Sequence, residues 1–203
     1  MKALVLVDLQ KDFLPGGSLA VEEGDQVIPK INGLINNNFD VVVATQDWHP
    51  SDHGSFASNH EDKKPGDKIE LQGTDQVLWP DHCVQNTEGA AFADALDTSK
   101  FEKVIKKGTD PKIDSYSGFY DNEHEKATGL HEYLQQQNVD TVVIAGLAAD
   151  VCVKFTTLDA LELGYKTKVV KDATRAVEKE EGYNQTMNEL QKKGAKLVNS
   201  SEL

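Results

Sequence analysis

The sequence predicts an α/β domain in three layers, with helices on both faces of a parallel sheet. Two observations predict it. Six short runs are apolar at successive positions, and four other segments carry apolar residues at helical spacing. Contiguous apolar strands are those covered on both faces, unlike strands that alternate between core and water. Strand and helix in alternation imply right-handed crossovers and therefore a parallel sheet.

The elements follow in chain order. Ala3–Val7 is the first strand, ended by Asp8. Val27, Ile31 and Leu34 recur at i, i+4 and i+7, the stripe of a helix with one buried face. Val41–Ala44 reads as the second strand and Val104-Ile105 as the third, closed by Lys107 before Gly108. Leu130 and Leu134 mark a helix, and Thr141–Ala145 the fourth strand. Val151, Phe155 and Leu158 give the next helical stripe, stopped at Gly164. Lys168–Val170 is the fifth strand, Tyr183, Met187 and Leu190 a helix stopped at Gly194, and Lys196–Val198 the last strand. Residues 46–88 are polar without clear period, and a loop that long inside a compact domain is usually functional. It holds four of the six histidines, His49, His53, His60 and His82. No linker or repeat divides residues 1–203, which read as one domain.

Charge and composition exclude whole classes of function. A formal net charge of −13 repels a phosphate backbone and an anionic bilayer alike, so neither nucleic acid nor membrane is an expected partner. Two cysteines, Cys83 and Cys152, make no disulfide framework. The apolar run after Met1-Lys2 is too short for a signal peptide, and no stretch approaches a membrane span. A cytoplasmic protein with free thiols is expected. The acidic run Glu178–Glu181 reads as a solvated helix face.

In a doubly wound sheet, ligands bind beyond the carboxyl ends of the strands. Asp8, Asp47, His49, Lys107, Asp150 and Cys152 all fall there. Cys152 follows a strand and a small-residue turn, where a helix begins. Unpaired N–H groups and the dipole at that point should lower the pKa of its thiol. The competing reading is a small buried hydrophobe, which is also how Cys83 reads. Asp8 is a general base or a local hydrogen-bond acceptor, and Lys107 a partner for Asp8 or an exposed strand-end lysine. Asp47-Trp-His49 with His82 suits zinc, iron or manganese, although a lone Asp-x-His is a weak signal.

The ordered set of segments is more specific than any one of them. Val7-Asp-Leu-Gln-Lys-Asp-Phe13 with Gly16-Gly-Ser-Leu19, Thr45-Gln-Asp-Trp-His-Pro50 with His53, and Leu78-Trp-Pro-Asp-His-Cys-Val84 come first. Lys107-Gly108, Tyr116-Ser-Gly-Phe119 and Gly146-Leu-Ala-Ala-Asp-Val-Cys152 follow. Together they resemble the nicotinamidases of the isochorismatase-like cysteine hydrolase superfamily, over residues 3 to about 172. The resemblance implies a six-stranded parallel sheet of order 3-2-1-4-5-6, with a cis peptide bond before Ala148. It implies a catalytic set of Asp8, Lys107 and Cys152 and an oxyanion hole from the Ala148 and Cys152 amides. Phe13, Leu19, Trp79 and Tyr116 match substrate-pocket positions. Asp47, His49 and His82 match ligands of one divalent metal ion, foremost Zn2+, with Fe2+ or Mn2+ as alternatives; isochorismatases lack that site, and His53 is left outside the ligand set.

The implied reaction is hydrolysis of nicotinamide to nicotinate and ammonia through a cysteine thioester, feeding NAD salvage, with pyrazinamide as a further substrate. Relatives range from monomers to larger rings, so a homo-oligomer is compatible with the resemblance. Two rival readings are a sister amidohydrolase acting on another small amide, and a binding domain that kept the fold without the chemistry.

Overall fold

A computed structural model describes residues 1–178 and 180–203; Lys179, inside the acidic run, lies outside the described residues. In chain order the main elements are β1 (Lys2–Val7), α1 (Val27–Ile35), β2 (Val41–Asp47), β3 (Lys68–Leu71), β4 (Thr74–Val77) and β5 (Lys103–Lys107). They continue with α2 (Leu130–Gln136), β6 (Thr141–Leu147), α3 (Cys152–Glu162), β7 (Lys166–Arg175), α4 (Glu180–Lys193) and β8 (Lys196–Val198). Six strands form one sheet in the order β5-β2-β1-β6-β7-β8, every pairing parallel. Counting only the strands of that sheet, this is the expected order 3-2-1-4-5-6. No described helix is long and apolar enough to cross a membrane.

Strand pleating divides the core into two layers, because successive side chains leave opposite faces. Leu4 and Leu6 of β1 pack with Ile28, Ile31 and Leu34 of α1. Ala3, Val5 and Val7 pack on the other face, with Leu130 and Leu134 of α2, Val153 and Ala160 of α3, and Met187 and Leu190 of α4. All six residues of β1 after Met1 are shielded to some degree and five are buried, which is why its run has no polar alternation. β5 is an edge strand, and Val104 is accordingly exposed.

Two expectations are corrected. The stripe Val151, Phe155, Leu158 is not the buried face of α3: Val151 is the N-cap and Phe155 is 39 % exposed. The buried face is Cys152, Val153, Thr156, Thr157, Asp159 and Ala160. Threonines can face the sheet because their hydroxyls are satisfied locally. Thr157 Oγ1 donates to the Val153 carbonyl and Thr156 Oγ1 accepts from the Gly118 N–H. The second correction concerns residues 46–88, which contain more than loop. β2 runs on to Asp47, and β3 and β4 form an antiparallel hairpin. Four-residue strands whose residues are mostly solvated carry too little apolar signal to be read from pattern.

One glycine decides how closely the two central strands approach. Gly146 of β6 pairs with Val7 and has φ 126, and a Cβ there would lie 2.1 Å from the Val7 carbonyl oxygen. Neither the dihedral nor the space admits a side chain. Gly146→Ala is therefore expected to lower the unfolding free energy by about 2–3 kcal/mol, read as a shifted denaturant midpoint.

Candidate active site

The carboxyl ends of β1, β2 and β5 and the start of α3 converge on one buried ammonium. Lys107 is the last residue of β5 and stands opposite Asp47 in the sheet register. Its side chain is fully buried, against the alternative of an exposed strand-end lysine. Nζ lies 2.9 Å from Asp8 Oδ2 and 2.8 Å from Asp47 Oδ1, and donates to the Ser115 carbonyl at 2.9 Å. Cys152 Sγ is 3.5 Å away. Asp8 is held from a second side: the Thr45 hydroxyl donates to Oδ1 at 2.6 Å and accepts the Asp8 N–H at 3.2 Å. Ligand atoms of Asp8, Asp47 and Cys152 all lie within 4.8 Å of one another.

These charges set the proton affinities. Burial opposes the Lys107 ammonium, but Asp47 and Asp8 outweigh it and hold the lysine well above its usual range. Burial would raise Asp47, yet Lys107 and His49 bring it well below the ordinary carboxylate range. Asp8 goes the other way, raised by burial and by Asp47 against Lys107. Cys152 corrects the expectation from its helix start. Burial pushes the thiol well above its usual value, with Asp8 and Asp47 adding to it and Lys107 opposing. A helix N-terminus cannot outweigh full desolvation beside two carboxylates. The resting cysteine is a thiol within 4.8 Å of Asp8, a base whose own affinity for protons is raised.

Asp47, His49 and His82 are brought together by main-chain pairing across a long sequence gap. The His49 N–H donates to the Cys83 carbonyl at 3.1 Å, and the His49 carbonyl accepts from the Gln85 N–H at 2.8 Å. That bridge lays residues 83–85 beside the end of β2 and swings His82 inward. His49 Nε2 is then 3.3 Å and His82 Nε2 3.5 Å from Asp47 Oδ2. Each ring uses Nδ1 on a backbone carbonyl, His49 on Gly108 at 2.9 Å and His82 on Pro80 at 2.8 Å. With Nδ1 protonated, Nε2 presents its lone pair toward the shared centre, the arrangement that orients metal-ligating histidines. One buried carboxylate and two such imidazoles fit a borderline divalent ion, and all three residues are buried.

His53 sits beside this set, its ring centroid 4.4 Å from that of His49. Its Nδ1 lies 2.7 Å from the Ser55 hydroxyl and accepts from the Ser55 N–H, while its buried Nε2 has no hydrogen-bond partner. His53 also groups with His49 and Asp114, whose ligand atoms lie within 4.8 Å of one another. His60 stays apart, bonded to the Gly54 carbonyl.

A narrow cavity of ≈ 30 Å³ joins the thiol to the histidines. Phe13, Leu19, Trp79 and Tyr116 all line it, together with Ala148, Cys152, Asp47, His49 and His82. The peptide bond between Leu147 and Ala148 is cis. Around it the Ala149 N–H donates to the Arg175 carbonyl, and the Val151 and Val153 N–H groups donate to that of Ala148. Cys83, by contrast, is buried in the core.

Sequence reasoning missed several residues that shape this site. Gln10 Oε1 accepts the Asp47 N–H at 2.7 Å while its Nε2 donates to the Asp47 carbonyl at 2.8 Å, clamping that residue's backbone. Thr45 holds Asp8. Asp114 lines the cavity and accepts from Gln76 Nε2, which also donates to Tyr116 Oη. Only Gln10 and Thr45 carry a signal, lying inside the motif segments; Gln76 and Asp114 sit in stretches without pattern.

Removing the ammonium leaves two buried carboxylates facing each other. Lys107→Met is expected to cost about 3–5 kcal/mol in denaturant unfolding, far beyond a surface lysine. Gly108 carries the carbonyl that orients His49, and a Cβ there would lie 2.4 Å from the ring. Gly108→Ala is expected to weaken zinc retention in equilibrium dialysis by at least about tenfold while the protein stays folded.

The isochorismatase domain model matches residues 2–202. The chain is 49 % identical over 181 residues to the nicotinamidase of Escherichia coli (strain K12), covering 87 % of this chain and 84 % of that one. A solved Acinetobacter baumanii nicotinamidase/pyrazinamidase superposes with a TM-score of 0.95 at 44 % identity, covering 99 % and 97 % of the two chains. The pyrazinamidase of Pyrococcus horikoshii in complex with zinc gives a TM-score of 0.80 at 37 % identity over 98 % of each chain. On the domain match and these identities, the chain belongs to the isochorismatase family, in its nicotinamidase branch.

Proposed function

We propose that this protein hydrolyses nicotinamide to nicotinate and ammonia through a cysteine thioester, and that it accepts pyrazinamide as well. The observation that carries the reading is a thiol that lines one slot with aromatic rings and metal donors, and that lies against a base and a buried ammonium. Nicotinamidases and pyrazinamidases among the relatives support the same substrate class. On this reading the activity belongs to NAD salvage in the cytoplasm.

The steps follow from the site's proton affinities. Asp8 takes the Cys152 proton as the sulfur attacks the carboxamide carbon, a general base with raised affinity acting on a thiol that is protonated at rest. Lys107 keeps its proton and stabilises whichever of Asp8 or Cys152 bears the negative charge. The Ala148 and Cys152 amides receive the oxyanion of the tetrahedral intermediate. Asp8 gives its proton to the leaving nitrogen, ammonia departs and the thioester remains. Water then loses a proton to Asp8 and adds to the thioester carbonyl. Collapse expels the sulfur, which takes the proton back from Asp8, and releases nicotinic acid, whose carboxyl proton passes to ammonia in solution to leave nicotinate and ammonium.

Asp47, His49 and His82 would hold a divalent ion, Zn2+ on this donor set with Fe2+ or Mn2+ as alternatives, which supplies a Lewis-acid centre for the pyridine nitrogen. Phe13, Trp79 and Tyr116, with half-buried Leu19, provide flat apolar walls for the ring. Placing both ends of a short rigid substrate fixes the carboxamide against Cys152, so positioning supplies much of the rate.

Ammonia release from nicotinamide by reduced, metal-loaded protein tests the reading. Cys152→Ala should lower kcat by roughly 10⁴-fold or more while nicotinamide still binds in calorimetry. Turnover retained in Cys152→Ala, or none in the wild type, would refute the proposal. Chelation of the metal should raise KM for nicotinamide more than it alters the melting temperature.

A further inference from the structure

The turn that delivers Cys152 also holds a residue at the mouth of the slot. Asp150 lies in that turn, between β6 and α3, and the chemical steps above give it no part. Its carboxylate is taken up by the connection that follows β7. Oδ1 accepts the Val177 N–H at 2.9 Å, and Oδ2 accepts the Glu178 N–H at 2.8 Å. One residue earlier, the Ala149 N–H donates to the Arg175 carbonyl at 2.7 Å. Three hydrogen bonds therefore fasten residues 149–150 to residues 175–178, beyond the last paired position of β6 and β7, Leu147 with Arg175. Bonds from N–H groups to a carboxylate are roughly twice as strong as neutral ones.

Val177 is the residue so held, and core packing does not account for it. It is 40 % exposed and belongs to neither core layer. It lies between β7 and α4, so no strand or helix ladder fixes it. It nevertheless lines the slot, together with Ala148, Val151 and Cys152. The other described residues that line the slot are buried or half-buried, so the exposed one marks where the slot opens to solvent. A β-branched side chain is stiff about its first torsion, and Val177 presents a wall of fixed shape once its backbone is pinned. In a slot of ≈ 30 Å³, a wall that gains or loses a methyl group is felt by whatever occupies the space.

We infer that Val177 is a specificity-determining residue, which limits by size the substituents that a ring-bearing amide can carry where the slot opens. Asp150 is the positioning residue that holds Val177 there. The inference rests on the amide-hydrolase reading above for its substrate and on the slot alone for its geometry.

Two readouts keep the inference separate from that reading. Alkylation of Cys152, followed by peptide mass spectrometry, needs no turnover. Val177→Ala should speed reaction with N-phenyliodoacetamide over that with iodoacetamide by roughly tenfold relative to wild type, the scale of a small change in pocket size. The second readout is kcat/KM for nicotinamide and for nicotinamides methylated at each ring carbon in turn. Val177→Ala should raise the value for at least one methylated amide against that for nicotinamide by a similar factor, and Val177→Leu should lower it. Asp150→Ala should reproduce both changes, and the double variant should add nothing to Val177→Ala alone. Asp150→Asn, which keeps one acceptor, should shift both ratios in the same direction by less, and it carries the test if Asp150→Ala fails to fold. An unchanged alkylation ratio in Val177→Ala would overturn the inference whether or not nicotinamide is hydrolysed. Additive effects of the Asp150 and Val177 changes would overturn the role given to Asp150. An altered alkylation ratio in a protein that releases no ammonia from nicotinamide would refute the substrate reading and uphold Val177 as the wall of the mouth.

Discussion

The Lys107 ammonium is the charge on which the rest of the rim depends. Asp8 and Asp47 end adjacent strands of one parallel sheet, so topology forces two buried carboxylates close together. A single cation between them makes that arrangement tenable, and it does so unequally. Asp47, which also faces His49, ends up far more acidic than usual, whereas Asp8 ends up less acidic. Two carboxylates of one chemical type thereby acquire different abilities, one suited to holding a cation and one to moving a proton. Such divergence of neighbouring acids by environment is a recurrent way to build acid–base sites.

Sheet geometry explains how one lysine can serve both groups. Because Lys107 faces Asp47 in register while Asp8 ends the next strand, the lysine side chain crosses above β2. The Ser115 carbonyl takes the third donor position, leaving the ammonium with no unmet hydrogen bond and no route to solvent. Cys152 then meets this cluster from the opposite side of the topological switch point, between β1 and β6, where doubly wound folds open a crevice.

Much of this was legible in the sequence, for physical reasons that can be named. Strands covered on both faces leave contiguous apolar runs, which is why Ala3–Val7 and Thr141–Ala145 read correctly and fixed where the rim must lie. Motif order then identified the residues on it. The hairpin of β3 and β4 was invisible because solvated four-residue strands have no apolar period. The face of α3 was misjudged because Thr156 and Thr157 bury hydroxyls that find partners no pattern can foresee. The thiol's proton affinity failed for a related reason: a helix start is local information, whereas the thiol's burial comes from the tertiary fold and the charges of Asp8 and Asp47 come from residues more than a hundred positions away.

The main-chain bridge between His49 and residues 83–85 has a consequence for how such proteins can vary. By pinning the two ends of the intervening segment, it separates the spacing of the metal donors in space from their spacing along the chain. Changes of length confined to the exposed turn of the small hairpin cost little beyond loop-closure entropy, about 0.6 kcal/mol for each doubling of length. That turn is thus free to gain or lose ornament while Gln76, Trp79 and the donors keep their places. Evolution can remodel the rim of the pocket there without renegotiating the centre beneath it.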